Sequence, residues 1–98
     1  MIICINTYEV PPDQANAFEG AFREVLDRLK LKPGFIEVRL MRSNNGRFVT
    51  VAEWESLEHQ REAGKDPQLI PKMKQVLAIA RPEATWLELV MEARAALG

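Results

Sequence analysis

The residue best placed to do chemistry is Asn6. It puts a carboxamide into an otherwise apolar run, Ile2–Val10, where asparagine is disfavoured. Buried without partners, such an amide would cost about 1–3 kcal/mol. It is therefore either satisfied by water or a neighbouring side chain, or turned toward a ligand that it can hydrogen-bond. Alternation along a strand puts Tyr8 on the same side as Asn6, where the ring could stand at the mouth of a cavity. Trp54 closes another alternating run and reads either as core packing at a strand–helix junction or as a cavity wall.

Other chemistries find little support. His59 and Cys4 are the only histidine and cysteine, so no metal-ligand cluster can be assembled from those types. The five glycines are isolated and form no phosphate-cradling loop. No Ser-His-Asp or Cys-His arrangement is signalled. Cys4, flanked by isoleucines, reads as a buried packing thiol rather than a reactive one. His59 sits in the polar run Leu57-Glu58-His59-Gln60-Arg61-Glu62 and reads as solvated rather than as a proton shuttle. Arg39 and Arg42 point to opposite strand faces, so at most one could enter a cavity; both read as surface.

Composition excludes further classes. A net charge of -1 over 98 residues gives no field to attract nucleic acid or an anionic membrane. No run reaches the roughly 18–20 apolar residues that span a bilayer. The segment MIICINTYEV lacks a basic region and a small-residue cleavage site, so it does not read as a signal peptide. With one cysteine there is no intrachain disulfide, which fits a reducing cytoplasm. Residues 1–98 are expected to form a single domain.

The elements that must position Asn6, Tyr8 and Trp54 follow from periodicity. Ile2–Val10 reads as a strand, with Ile3, Ile5 and Thr7 on one face and Ile2, Cys4, Asn6 and Tyr8 on the other. Pro11-Pro12-Asp13 stops it. A helix over residues 13–30 follows, with Ala15, Phe18, Phe22, Val25, Leu26 and Leu29 on one stripe. Pro33-Gly34 ends that helix. Phe35–Arg42 and Phe48–Trp54 alternate around Ser43-Asn44-Asn45-Gly46-Arg47, a hairpin signal because Asn and Gly both tolerate φ > 0. Ser56 caps a short helix ending near Gly64. Asp66-Pro67 starts another, with Pro71 so deep that a kink or second start is needed. Arg81-Pro82-Glu83 is a connector, residues 85–92 read as a last strand, and residues 93–98 as a frayed helical tail.

The order β-α-β-β-α-β is the ferredoxin-like α+β arrangement, a four-stranded antiparallel sheet with helices on one face. The opposite face would still carry large apolar side chains, and such area usually marks an interface or groove. Two copies packed sheet to sheet would cover it and enclose a cavity, so a homodimer is expected.

Taken together, Ile5-Asn6-Thr7-Tyr8-Glu9-Val10-Pro11, Pro33-Gly34-Phe35-Ile36 and Arg47-Phe48-Val49-Thr50-Val51-Ala52-Glu53-Trp54-Glu55-Ser56 resemble the antibiotic biosynthesis monooxygenase domain family of dimeric α+β barrels. The resemblance implies several functions, since such domains host more than one chemistry. One is a cofactor-independent monooxygenase that oxidises an anthrone-type polyketide, quinol or other small aromatic with O₂ in a sheet-side pocket. No cofactor would be needed there, because an electron-rich phenolate or enolate can pass an electron to O₂ itself. In that reading Asn6 is the catalytic candidate, orienting a substrate oxygen, and Tyr8 and Trp54 are substrate-binding walls. A second is heme binding or degradation. Asn6 matches that branch's first-strand asparagine, but its second tryptophan would fall near Ala63 and its iron-ligating histidine near Lys72 or Met73; His59 comes too early. A third is a module that binds a small ligand or only dimerises.

Overall fold

A backbone that alternates apolar and polar residues at every strand pairs into one sheet. The computed structural model describes residues 1–96 and contains β1 (Ile2–Glu9), α1 (Ala15–Leu29), β2 (Phe35–Arg42), β3 (Arg47–Trp54), α2 (Leu57–Ala63), α3 (Leu69–Ile79) and β4 (Pro82–Glu88). The strands run antiparallel in the order β2-β3-β1-β4. This is the expected ferredoxin-like arrangement, with its second helical segment divided into α2 and α3.

Local chemistry explains where the elements start and stop. Pro12–Gln14 form one 3-10 turn before α1, with the Gln14 amide bonded to the Pro11 carbonyl at 2.8 Å. After α1 the chain reverses at Lys32–Phe35, where the Phe35 amide reaches the Lys32 carbonyl at 3.3 Å. Pro33 supplies the fixed φ, and Gly34, at φ +79°, supplies the positive φ that a type II turn demands at its third residue. Ser56 caps α2, its hydroxyl accepting from the His59 amide at 3.2 Å.

The β2–β3 hairpin departs from the Asn-Gly expectation. Only Gly46 has a positive φ, +85°, and no non-glycine residue does. The Gly46 amide bonds the Ser43 carbonyl at 3.1 Å, and the Ser43 amide bonds the Arg47 carbonyl at 2.8 Å. That is a three-residue loop whose last residue is left-handed, so Asn45 needs no positive φ. Asp66 accepts from the Leu69 and Ile70 amides through its carbonyl and from the Gln68 amide at 2.9 Å through its carboxylate. Pro71 then falls in the first turn of α3, where its missing N–H costs nothing. The second start is what occurs.

The last strand begins three residues earlier and ends four residues earlier than expected. Pro82 lies across from Tyr8 and Glu88 across from Ile2, and just past the strand the Leu89 amide makes one more bond, to the Met1 carbonyl at 3.3 Å. Pro82 is tolerated because β4 is an edge strand. The expected helical tail is not formed among the described residues, which are irregular from Leu89 to Ala96. Leu97 and Gly98 lie outside the described residues.

The helices cover one face of the sheet. There Tyr8, Phe48, Phe18 and Phe22 form the centre of the core, with ring centroids 5.0 Å apart for Tyr8–Phe18 and 4.9 Å for Phe18–Phe48. The bare face carries Ile3, Ile5, Val49 and Val51 half-buried and Met41 and Leu87 exposed, together with the charged Arg39, Glu53 and Glu83.

A cavity between the sheet and the helices

Residues directly across from each other in an antiparallel pair share a face. On the helix-covered face, three rows therefore cross the sheet: Leu40–Thr50–Asn6, Val38–Ala52–Cys4–Trp86, and Arg42–Phe48–Tyr8–Pro82. The third row is bulky and is filled by the aromatic core. The first two put Thr50, Asn6, Ala52 and Cys4 side by side in the middle of the sheet, and these short side chains do not reach the helices. A cavity of about 250 Å³ is left above them. Phe22, Val25 and Leu29 of α1, Gln60 and Ala63 of α2, and Leu69 and Met73 of α3 roof it. Its lining is mostly apolar, with a few polar groups in the floor, the usual make-up of a small-molecule site.

Asn6, Tyr8 and Trp54 all line this one cavity. The strands bring the three candidates together, but on the helix side of the sheet. The hollow expected between the bare faces of two copies is a different place, and the location is corrected accordingly. Alternation in β1 shows that Asn6 and Tyr8 share a face; it does not show which face the helices take. Charge marks it: Arg39, Glu53 and Glu83 all fall on the side away from Asn6.

Tyr8 is not at the mouth. It is 2% exposed, held edge-on by Phe18 and Phe22, and its phenol lies near the Thr50 hydroxyl. Burial pushes the phenol up to about 12, the nearby Cys4 thiol adds to the rise, and the Thr50 hydroxyl opposes it. Tyr8 is thus a neutral hydroxyl at any ordinary pH. Trp86, 44% exposed, stands at the rim. Trp54 is buried and packs edge-on against Phe35, centroids 5.2 Å apart. Burial pushes the Cys4 thiol upward, and the neighbouring Asn6 amide opposes that shift. Thr50 and Gln60 were not singled out from sequence. Neither carries a distinguishing signal in the sequence, since a threonine suits any strand and Gln60 lies in a polar run.

His59 turns away from the cavity. Its Nδ1 lies 2.8 Å from the Ser56 hydroxyl, its Nε2 lies 3.9 Å from the Glu55 carboxylate, and its ring packs on Gly34. The heme alternative can be tested against this geometry. Met73 lines the cavity, but no imidazole does, and the Cys4 thiol is held protonated. These residues do not fit heme. Among the described residues, no three His, Cys, Asp or Glu side chains are grouped to hold a metal ion, and no helix is long and apolar enough to cross a membrane.

A family model described as antibiotic biosynthesis monooxygenase matches residues 1–69. Solved structures share the fold over nearly all of the chain. SnoaB, a cofactor-independent oxygenase from Streptomyces nogalater, superposes with a TM-score of 0.84 at 22% identity, covering 93% of this chain and 94% of that one. Rv0793 from Mycobacterium tuberculosis gives 0.84 at 19% identity, covering 95% and 98%. A conserved protein from Methanosarcina mazei Go1 gives 0.81 at 10% identity, covering 88% and 89%. At such identities the likeness speaks for the fold. No curated protein sequence matches this chain.

Proposed function

Because this chain belongs to the antibiotic biosynthesis monooxygenase family, we propose that it is a cofactor-independent oxygenase of a small, electron-rich aromatic held between its sheet and its helices. The observation that carries the reading is a mostly apolar cavity of about 250 Å³ with the Asn6 carboxamide in its floor. Trp54 and Tyr8 wall it, and Asn6 orients an oxygen of the substrate. SnoaB, of the same fold, is described as cofactor-independent.

The chemistry suits a substrate with an activated methylene between rings, such as an anthrone or a related polyketide; a quinol is the other candidate. Its enolate is rich enough in electrons to reduce O₂ directly. The methylene carbon loses two C–H bonds and gains a C=O, one oxygen atom entering the carbonyl and the other leaving as water. Carbon gives four electrons and O₂ takes four, so no outside reductant is required. The protein's part is to hold the ring in place and keep bulk water away from the reactive carbanion.

A homodimer completes the reading. The accessible surface is 6929 Å², whereas a compact monomer of this mass exposes about 5,700 Å². The excess, and the apolar side chains of Ile5, Val49, Val51 and Met41 on the bare face, favour a second copy packed there.

Oxygen-electrode measurements with a panel of anthrones and quinols test the proposal. Uptake of one O₂ per quinone formed, lowered at least tenfold in Asn6→Ala, supports it; equal rates in the variant remove Asn6 from the mechanism. A ligand-binding module without turnover is the second reading, favoured by the lack of any Asp, Glu, His, Lys or Arg among the described residues of the lining. Tight binding with no O₂ uptake across the panel would decide for it.

A further inference from the structure

We infer that the cavity encloses only the head of its ligand, and that Gly64 and Trp86 select an elongated aromatic whose outer ring lies in the mouth between them. The inference rests on the same cavity being the place where a ligand sits.

Exposure marks the mouth. Of the lining residues only Gly64, at the end of α2, and Trp86, on β4, are exposed; the others are buried or half-buried. Register puts Trp86 across from Cys4, at the end of the row Val38–Ala52–Cys4–Trp86. That end is the sheet edge, and the helices stop short of it: Ala84, Trp86 and Glu88, on the helix side of β4, are all exposed. The indole is therefore an apolar platform at the rim instead of part of the packed core.

The backbone does not require a glycine at 64. Its φ of -65° and ψ of -13° are right-handed helical, a conformation open to any residue but proline's neighbours. A Cβ there would meet the Arg61 and Gln60 carbonyls at 3.4 and 3.8 Å, ordinary contact, and nothing outside its own helix within 4 Å. Alanine would hold the same conformation with a smaller loss of chain entropy. What the glycine does is leave space, and that space is the mouth.

The enclosed volume limits how much of a ligand is swallowed. At a packing no denser than a protein interior, ~0.75, the hollow of about 250 Å³ holds at most about 190 Å³ of ligand. Pockets that take a whole drug-sized ligand run to about 300–1,000 Å³. Two fused rings fit inside; a further ring set end-on emerges past Gly64. Neither rim residue is charged, and the flat face of Trp86 suits an uncharged aromatic ring.

Tryptophan fluorescence quenching without oxygen tests this with two probes that share a head: 1-naphthol, and 4-phenyl-1-naphthol, which carries one more ring opposite the hydroxyl. Wild-type protein should bind the phenyl compound at least tenfold more tightly, the gain from covering an apolar ring and pairing it with an indole. Gly64→Leu fills the mouth and Trp86→Ala removes the platform. Each should cut that advantage below threefold and leave 1-naphthol affinity within threefold of wild type. Trp54, which also lines the cavity, remains as reporter in the second variant. Trp86→Phe should keep most of the advantage, and Gly64→Ala should melt no lower than wild type. Equal or weaker binding of the phenyl compound by wild type, an advantage that survives either variant, equal weakening of both probes, or a Gly64→Ala protein that melts lower overturns the inference. No binding of either probe sinks the cavity reading and this inference with it. The expected pattern without O₂ uptake in air would sink the oxygenase reading and leave this one standing.

Discussion

Asn6 on β1 lies directly across from Thr50 on β3, and both side chains face the helices. This pair is the polar centre of a floor otherwise made of Ala52, Cys4 and Val38. Thr50 also lies near the Tyr8 phenol, so it stands between the amide and the aromatic core. Thr50→Val keeps the shape and removes the hydroxyl. It should lower O₂ uptake about tenfold or more, the scale for losing one donor to a developing oxyanion. The fold should survive, with a loss of about 1 kcal/mol measurable by urea unfolding.

Ala52 is the small residue that keeps the floor low between Val38 and Cys4. Ala52→Ile would place a β-branched side chain in the hollow. Quenching of the tryptophans by a bound aromatic should weaken at least tenfold, while stability changes by less than about 2 kcal/mol, because the added methyl groups enter empty space.

Gly34 meets two demands at once. Its φ of +79° suits glycine, and a Cβ there would run into the His59 ring. Gly34→Ala should therefore cost about 2–4 kcal/mol, a left-handed penalty of about 1–2 kcal/mol plus the steric overlap. Adding His59→Ala should recover only the steric part. Thermal melts of the four proteins give the coupling.

Asp66 ties α1 to the α2–α3 junction by accepting from Arg28 Nε at 2.7 Å and Lys32 Nζ at 3.2 Å. The Arg28 bond, the Gln68 amide and the Lys32 bond hold its carboxyl well below the ordinary value of 3.8. A lowered folded-state pKa means the unfolded chain takes up the proton first as pH falls. The contribution is thus present above about pH 4 and is lost on acidification toward the folded-state pKa. Asp66→Asn should unfold more readily at pH 7, and its stability should change less than wild type's between about pH 4 and pH 2. Urea midpoints across that range check both.

Val51 faces away from the helices, across from Ile5 and Arg39. Val51→Lys puts a charge in the centre of the bare face. Sedimentation should show a dimer for wild type and a monomer for the variant, with the circular dichroism of the sheet retained.

Much of this was legible in the residues, and the physical limits are specific. Period-two alternation placed Asn6, Tyr8 and Cys4 on one face because side chains in a strand have no other option. The same rule is silent on which face the helices cover, so it does not place Asn6 and Tyr8 on the helix side of the sheet. The Ser43–Arg47 turn was recognisable, but Asn-Gly does not choose between a two-residue and a three-residue loop. The limits of β4 depend on its pairing with β1, a constraint between segments about 80 residues apart. Thr50 escaped notice because a threonine suits any strand. Its role appears only when register sets it beside Asn6.

The central claim is that an aromatic ligand sits between the sheet and the helices of one chain. A crystal structure of the protein grown without oxygen in the presence of an anthrone tests it most directly. The account predicts ring density against Trp54, with a ligand oxygen within hydrogen-bond distance of the Asn6 amide. Density over Ile5, Val49 and Val51 on the bare face, with the helix-side cavity empty, would contradict it.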